Sequence, residues 1–401
     1  MKENVRVVVL GKNHSTPLGV IRSLGVNGYT LDVFYVAKTE NESHVLKGSK
    51  YVSKVMEIVG RYDEDIVNML MKEYESATET LVLFPTDDYT SSLIDRNRDV
   101  LSTRFFMPYI VGNKQGAITH FMDKSVQSAL AHQFDLPTAP EWLISLDGDI
   151  VIPEELPYPC FCKPYMSARG GKNELTKCEN RKELENTLLK LQEKNPHRYI
   201  LVQKFLNIKR EYSISGVCND REVYLPALLR KLRVARHNKG VTLQGIVENF
   251  DGIGEVKDKV IRLLQSVHYV GMIDIELIET DERIYFNELN FRSSGVHFAT
   301  TLAGVNLPLK FIETVTENKS VISEDDVLYG KTFVNDKVLW EDFRFNEMTY
   351  GEFKTIAGSD FSLLVRNAED PKPGELFLET VKSISYKQHV KRVIKKMIGR
   401  K

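Results

Sequence analysis

The chain is poor in cysteine, has no long apolar run and carries almost no net charge, and each shortage removes a class of function. Four cysteines in 401 residues, Cys160, Cys162, Cys178 and Cys218, are too few for a disulfide-built secreted domain. Cys160 and Cys162 form a C-x-C without a second C-x-x-C or a histidine cluster, so no zinc site is expected and the thiols read as small buried hydrophobes. No stretch is apolar for long enough to span a bilayer, and polar residues break the run after Val5 too early for a secretion signal. The cytoplasm is therefore the default compartment. A net charge of -1 gives no basic excess that would ask for nucleic acid. What remains is an ordinary soluble composition, 42% apolar and 27% charged, with length for two or three packed subdomains.

Against this background one stretch is unusual, GMIDIELIETDERIYFNELNFRSSG from Gly271 to Gly295. Asp274 and Glu276 recur at period two in its first half, Glu288 and Asn290 in its second, so two neighbouring strands would each turn polar groups to one face. Carboxylates in a core strand are costly unless paired or bound to metal, and this set offers the hard oxygen donors that Mg²⁺ prefers. Arg292 follows at the next same-face position, a planar cation suited to phosphate or carboxylate. The plain alternative is an exposed hairpin turning at ETDER, its acids merely solvated.

VRVVVLG (Val5 to Gly11) reads as a buried strand leading into a helix with Thr16 as N-cap and Pro17 at N1, and further strands follow at Tyr29 to Val36 and Thr80 to Pro85 around a helix over Asp63 to Tyr74. This alternation predicts an N-terminal α/β domain. The loop after Gly11 lacks the three-glycine dinucleotide spacing. Asn13, His14, Thr86, Asp87 and Asp88 would still lie at the carboxyl ends of parallel strands, where open α/β sheets bind ligands; Asp87 and Asp88 are substrate-side candidates or simply the cap of a helix.

A helix is expected from Asp123 and Lys124, and near it a second domain. Pro157 to Glu174 reads as a strand with Lys163 at its end, then a loop holding Ser167, Arg169, Gly170, Gly171 and Lys172 whose backbone N–H groups could approach phosphate, or a plain hairpin turn. A charged helix precedes the strand YILVQKFL, and REYSISGVCN with Glu211 opens an antiparallel meander carrying Arg230, Lys231, Arg233 and Arg236, either a solvated edge or an anion site.

The order of these motifs resembles the ATP-grasp superfamily from Met122 to about Pro308, with E-x-N-x-R (Glu288, Asn290, Arg292) its most specific part. The resemblance is greatest to carboxylate–amine ligases of the D-aspartate-ligase and D-alanine–D-alanine-ligase kind, with biotin carboxylase more distant. It implies an α/β and α+β fold: a Rossmann-like domain (1–115), a small ATP-grasp lobe with the phosphate loop (116–200), a large lobe with the metal site (201–317), and a C-terminal extension (318–401). It further implies ATP and Mg²⁺ as cofactors, with Mn²⁺ a substitute. Lys124 and Lys163 would contact the phosphates under the loop Ser167 to Lys172, Lys163 also serving the chemistry. Gln203, Lys204, Phe205 and Leu206 would form the hinge for adenine, and Glu211 would accept the ribose hydroxyls. Glu288 and Asn290 match metal ligands; for the first metal acid Glu276 is preferred and Asp274 kept as the alternative. Arg292 matches the arginine that stabilises developing negative charge, and Arg230, Arg233 and Ser293, Ser294 and Gly295 would line the substrate pocket. Gln203 stands where an acid is frequent, and the loop has fewer glycines than the carboxylase version.

The implied activity is phosphorylation of a carboxylate by ATP, followed by attack of an amine on the acyl phosphate. Alternatives are a bicarbonate-using carboxylase or a small-molecule kinase of the same fold, or a nucleotide-binding regulator without catalysis. His297 is either a base for the amine or a structural histidine. The implied partners are a small carboxylate and a small amine, and dimers are frequent among the proteins resembled. From about Asn318 the sequence offers a pair of strands or a strand plus helix near KTFVNDKVLWEDFRF, then a basic tail helix with Val390, Val393, Ile394 and Met397 on one stripe, which docks on the protein or makes weak contact with an anionic membrane surface.

Overall fold

The computed structural model describes residues 4–12, 15–60, 62–112, 114–165, 176–194, 199–237 and 240–382. Among them no helix is long and apolar enough to cross a membrane. Asn13, His14, the loop residues Ser167, Arg169, Gly170, Gly171 and Lys172, and the tail stripe from Val390 lie outside the described residues.

The N-terminal strands β1 (Val5–Gly11), β2 (Thr30–Ala37), β3 (Val52–Val59), β4 (Thr80–Pro85) and β5 (Phe105–Phe106) form one sheet in the order β3-β2-β1-β4-β5. Every pair in it is parallel. Such a sheet needs cover on both faces, which explains the continuous apolar runs of β1 and β4. The crossovers are α1 (Ser15–Gly25), α2 (His44–Lys47), α3 (Asp63–Glu73), α4 (Asp88–Arg96) and α5 (Arg98–Leu101). Helix α1 begins at Ser15, one residue before the expected cap. Asp87 caps α4, its side chain accepting from the Thr90 backbone N–H at 3.0 Å.

Beyond β6 (Tyr109–Ile110), α6 (Ala117–Phe121) and α7 (Lys124–Gln133) comes a four-stranded sheet of β7 (Glu141–Ser145), β8 (Cys160–Pro164), β9 (Thr176–Cys178) and β10 (Tyr199–Lys204), ordered β7-β10-β8-β9, with α8 (Arg181–Lys194) on one face. Cys160, Cys162 and Cys178 are buried in the core between that sheet and α8, where burial pushes the Cys160 thiol up to about 12. Among the described residues no three His, Cys, Asp or Glu side chains form a metal cage.

The third sheet is the largest. It contains β11 (Arg210–Asn219), β12 (Glu222–Tyr224), β13 (Leu228–Val234), β14 (Thr242–Glu248), β15 (Tyr269–Glu279), β16 (Ile284–Asn290), β17 (Thr332–Val334) and β18 (Phe361–Ser362), ordered β16-β15-β11-β13-β14-β17-β18, with β12 beside β11 and β6 beside β15. Helices α9 (Gly254–Val267), α10 (Phe298–Leu302), α11 (Leu307–Glu317), α12 (Asp336–Arg344) and α13 (Tyr350–Ala357) complete the fold. The fold class is the expected one. Ile118, Met122, Ala131 and Leu136 pack with β11, β15 and β16, so α6 and α7 belong to the large-lobe core, and the small-lobe sheet runs on to Lys204. The segment after Asn318 is a strand followed by a helix, and β17 and β18 extend the large sheet. Residues 372–382 are helical and return to the N-terminal domain, where Phe377 joins the core under α1.

Candidate active site

Strand β15 is buried along most of its length, which sets aside the solvated hairpin. It pairs antiparallel with β11 and β16, so residues directly opposite share a face. Asp274 lies opposite Ser215 and Asn290, and Glu276 opposite Ser213 and Glu288. All four expected oxygen donors therefore stand on one face of the large sheet, on its edge strand β16 and the neighbouring β15. A bulge after Glu276 leaves Asn287 unpaired in the ladder, and its amide donates to the Glu276 carboxylate at 3.3 Å.

Four cations reach this face from different elements. Lys124, the first residue of α7, has its Nζ 3.4 Å from Glu288, and its backbone N–H donates to Tyr165 O at 3.1 Å, fastening α7 to the end of β8. Lys163 on β8 is 6% exposed; burial, with Lys124 nearby, brings its ammonium down to about 8 despite Glu288, Glu141 and Glu276. Lys231 on β13 bridges Glu211 at 2.8 Å and Glu276 at 3.8 Å. Burial lowers its pKa, but the two carboxylates together outweigh that and hold it charged. Arg292 donates to both oxygens of Asp88, at 2.7 and 3.0 Å, and to Asn290 Oδ1 at 3.2 Å. Asp88 opens α4, so the N-terminal domain fixes the guanidinium over the large sheet.

Asp274 sits deeper than its neighbours. Burial and the adjacent Glu276 raise its pKa to about 6, against the Ser213 hydroxyl, which donates to it at 2.5 Å. Glu276 and Glu288 are more exposed than Asp274.

Two expected substrate contacts are elsewhere. Arg230 lies opposite Tyr212, on the reverse face of the sheet, and is held by Glu248 through three contacts of 2.7 to 3.0 Å. Strand alternation is the reason: Lys231, not Arg230, shares the face of Glu211 and Glu276. Arg233 follows a bulge in β13 and is exposed, with Glu352 among its electrostatic neighbours, and Arg236 pairs with Glu352 at 3.5 Å. The parity of LLRKLRV, with Leu229 turned to the site side, would have pointed to Lys231.

Ser293 and Ser294 are buried in the turn after β16, where Ser293 O accepts from Arg292 Nη1 at 3.2 Å. A Cβ on Gly295 would come within 3.9 Å of Thr16 Oγ1, so this turn abuts the start of α1. His297 is 1% exposed with Nδ1 2.7 Å from Ser294 O, and burial lowers its pKa to about 4. The buried ring lies against Gly19 of α1, where an added Cβ would meet its Cε1 at 2.8 Å.

At the hinge, Lys204 N–H donates to Pro140 O at 2.8 Å and Phe205 N–H to Pro159 O at 3.0 Å, fixing the backbone where β10 leaves its sheet. Leu206 is half-buried just beyond. The Gln203 amide donates to the Glu141 carboxylate at 2.6 Å, a partner that no local feature of the sequence announced.

Lysines with an arginine set against paired carboxylates can neutralise a polyphosphate while holding a reacting carboxyl group beside it. Residues 129–303 match the family model of the ATP-grasp domain. The structure resembles an L-amino acid ligase from Bacillus licheniformis, with TM-score 0.63 and 14% identity over 83% of this chain and 80% of that one. It resembles biotin carboxylase from Campylobacter jejuni to the same TM-score of 0.63, at 16% identity over 81% and 74% of the two chains. An N5-carboxyaminoimidazole synthetase from Staphylococcus aureus, complexed with ADP, gives 0.62 and 17% identity over 86% of both chains. The domain match falls on the stretch that carries Lys163, Lys231, Arg292 and the facing carboxylates, so residues 129–303 of the chain form an ATP-grasp domain.

Proposed function

We propose that the protein is an ATP-dependent ligase that activates a small carboxylate as its acyl phosphate and delivers it to an amine. The observation that carries this reading is the opposed pair Glu276 and Glu288, with Asn290, enclosed by Lys124, Lys163, Lys231 and Arg292. The donors suit Mg²⁺, since two carboxylates and an amide oxygen fall short of an all-protein cage and leave positions for phosphate oxygens and water, the usual way this ion is held. Bound there, the ion would supply charge neutralisation to the transferring phosphoryl group.

The residues of the chain account for the rest. Lys163 receives phosphate oxygens from the small-lobe sheet, Lys124 from the start of α7, and Lys231 from the large sheet. In the first step a carboxylate oxygen of the substrate bonds to the γ-phosphorus and ADP leaves. In the second the amine nitrogen, having lost one proton from its ammonium form, attacks the acyl carbon; phosphate leaves, and the nitrogen gives up one further proton to solvent or the departing phosphate as the amide forms. Arg292 is placed to hold the carboxyl oxygen through both steps, and Asp88 is the residue that positions it.

The test is ADP release from Mg·ATP by the purified protein against pools of amino acids and small carboxylates, with bicarbonate as a separate arm and Glu288→Gln as control. Release that requires both a carboxylate and an amine, and is lost in the variant, supports the ligase. Release with bicarbonate alone replaces it with the carboxylase reading. Tight ATP binding without turnover in every arm supports a regulatory nucleotide-binding protein instead.

A further inference from the structure

We infer that Glu141, oriented by Gln203, selects the base of the nucleotide by accepting a hydrogen bond from an exocyclic 6-amino group. The inference rests on reading the cleft between the lobes as a nucleotide site, and it assigns a role to a residue on β7 that the motif order does not include.

The small-lobe sheet has two distinct faces. Ile200 and Val202 of β10 enter the core with α8. Leu201 and Gln203 must then point the other way, as does Lys163, which lies opposite Leu201. Gln203 is flanked in register by Glu141 on β7 and Phe161 on β8. One rung of the sheet thus carries Glu141, Gln203 and Phe161, and the next carries Leu143, Leu201 and Lys163. With Lys163 at the phosphate end, the rung beyond it is where a base would lie, against Phe161 and Leu201.

Polarity at that rung is one-sided. The Gln203 Nε2 group is committed to Glu141 Oε2 at 2.6 Å, so its Oε1 remains an acceptor. The second carboxylate oxygen of Glu141 is an acceptor as well. The backbone N–H groups of Lys204 and Phe205 are occupied by Pro140 O and Pro159 O. A 6-amino purine brings two N–H donors to such an edge. A 6-oxo purine brings lone pairs toward a carboxylate, which is an unpaired and repulsive contact. Glu141 and Gln203 are both half-buried, where such a mismatch is felt more strongly than in water. The carboxylate also lies near enough to Lys163 to help hold its charge, so base and phosphate recognition share one face. Gln203 itself is uncharged; the acid of this rung comes from the neighbouring strand β7.

The experiment is a calorimetric titration of the full chain with Mg·ATP and with Mg·inosine triphosphate, which differs at the 6-position by an oxo group. Wild type should prefer ATP by about tenfold or more, the order expected of one misread base edge. Glu141→Gln, whose amide can turn to donate, should bring the two affinities within about threefold, mainly by weakening ATP and improving the inosine nucleotide. Gln203→Leu should move the ratio in the same direction with Glu141 still present. Equal affinity of wild type for the two nucleotides, or a Glu141→Gln protein that weakens both by one common factor, overturns the inference while leaving the nucleotide site intact. Wild type that binds neither nucleotide overturns the nucleotide reading and this inference with it.

Discussion

Asp370→Asn should destabilise the junction between the C-terminal segment and the N-terminal domain far more than an ordinary single substitution. Arg22 of α1 and Asp370 are each 1% exposed and meet at 3.2 Å. Arg22 also donates to Leu364 O at 3.0 Å and Asp370 O at 2.8 Å, while the Asp370 carboxylate accepts from Ser49 Oγ at 2.9 Å and the Lys50 backbone N–H at 3.0 Å. Burial lowers the Arg22 pKa and Asp370 only partly restores it, so this is a desolvated cation that depends on its partner. Removing one member of such a pair leaves a buried charge uncompensated and costs ~3–5 kcal/mol. Adding Arg22→Met should recover at least ~1 kcal/mol, because the charge then leaves together with its partner. The chain has two tryptophans, and Trp340 of α12 packs against the core shared with α1, so urea unfolding followed by its fluorescence in a Trp142→Phe background reads this junction. A cost below ~1 kcal/mol for Asp370→Asn, or a double variant less stable than the single one, would refute the reasoning.

Two further outcomes depend on pH. His297 has its pKa lowered from 6.5 to about 4, so the unfolded chain takes up a proton below pH 6.5 that the folded chain refuses until about 4. Its contribution is therefore fully present above pH 6.5 and declines as the pH falls toward 4, by ~3 kcal/mol in all; urea midpoints across that window should fall less steeply in His297→Asn, and an unchanged slope would dismiss the histidine as the cause. Lys163, brought down to about 8 by burial and Lys124, should make Mg·ATP affinity level below pH 8 and weaker above it, by up to about tenfold per pH unit. Lys163→Arg should bind with little pH dependence over the same range, whereas a flat wild-type profile would separate Lys163 from the phosphates.

Much of this architecture is legible in local pattern. The β-branched run from Val5 and the apolar run from Thr80 require a covered parallel sheet, and the helices at Asp63, Lys124 and Arg181 begin within a residue or two of their sequence signals. The alternation through Asp274, Glu276, Glu288 and Asn290 fixes which side chains share a face as soon as the two strands pair, since the period of a strand is two. Arg230 and its neighbour Lys231 have the same charge and opposite parity, and only the pairing of β13 with β11 decides which of them meets the acids.

The sequence by itself determined the elements, the facing carboxylates and the order of cations along the chain, because these follow from periodicities and side-chain types that act over a few residues. Tertiary structure alone decided the partners: Asp88 for Arg292 across 204 positions, Glu141 for Gln203 across 62, and Asp370 for Arg22 across 348. Hydrogen bonds and ion pairs act over a few ångströms of space and carry no record of distance along the chain. They exist only where packing has already brought separate segments together.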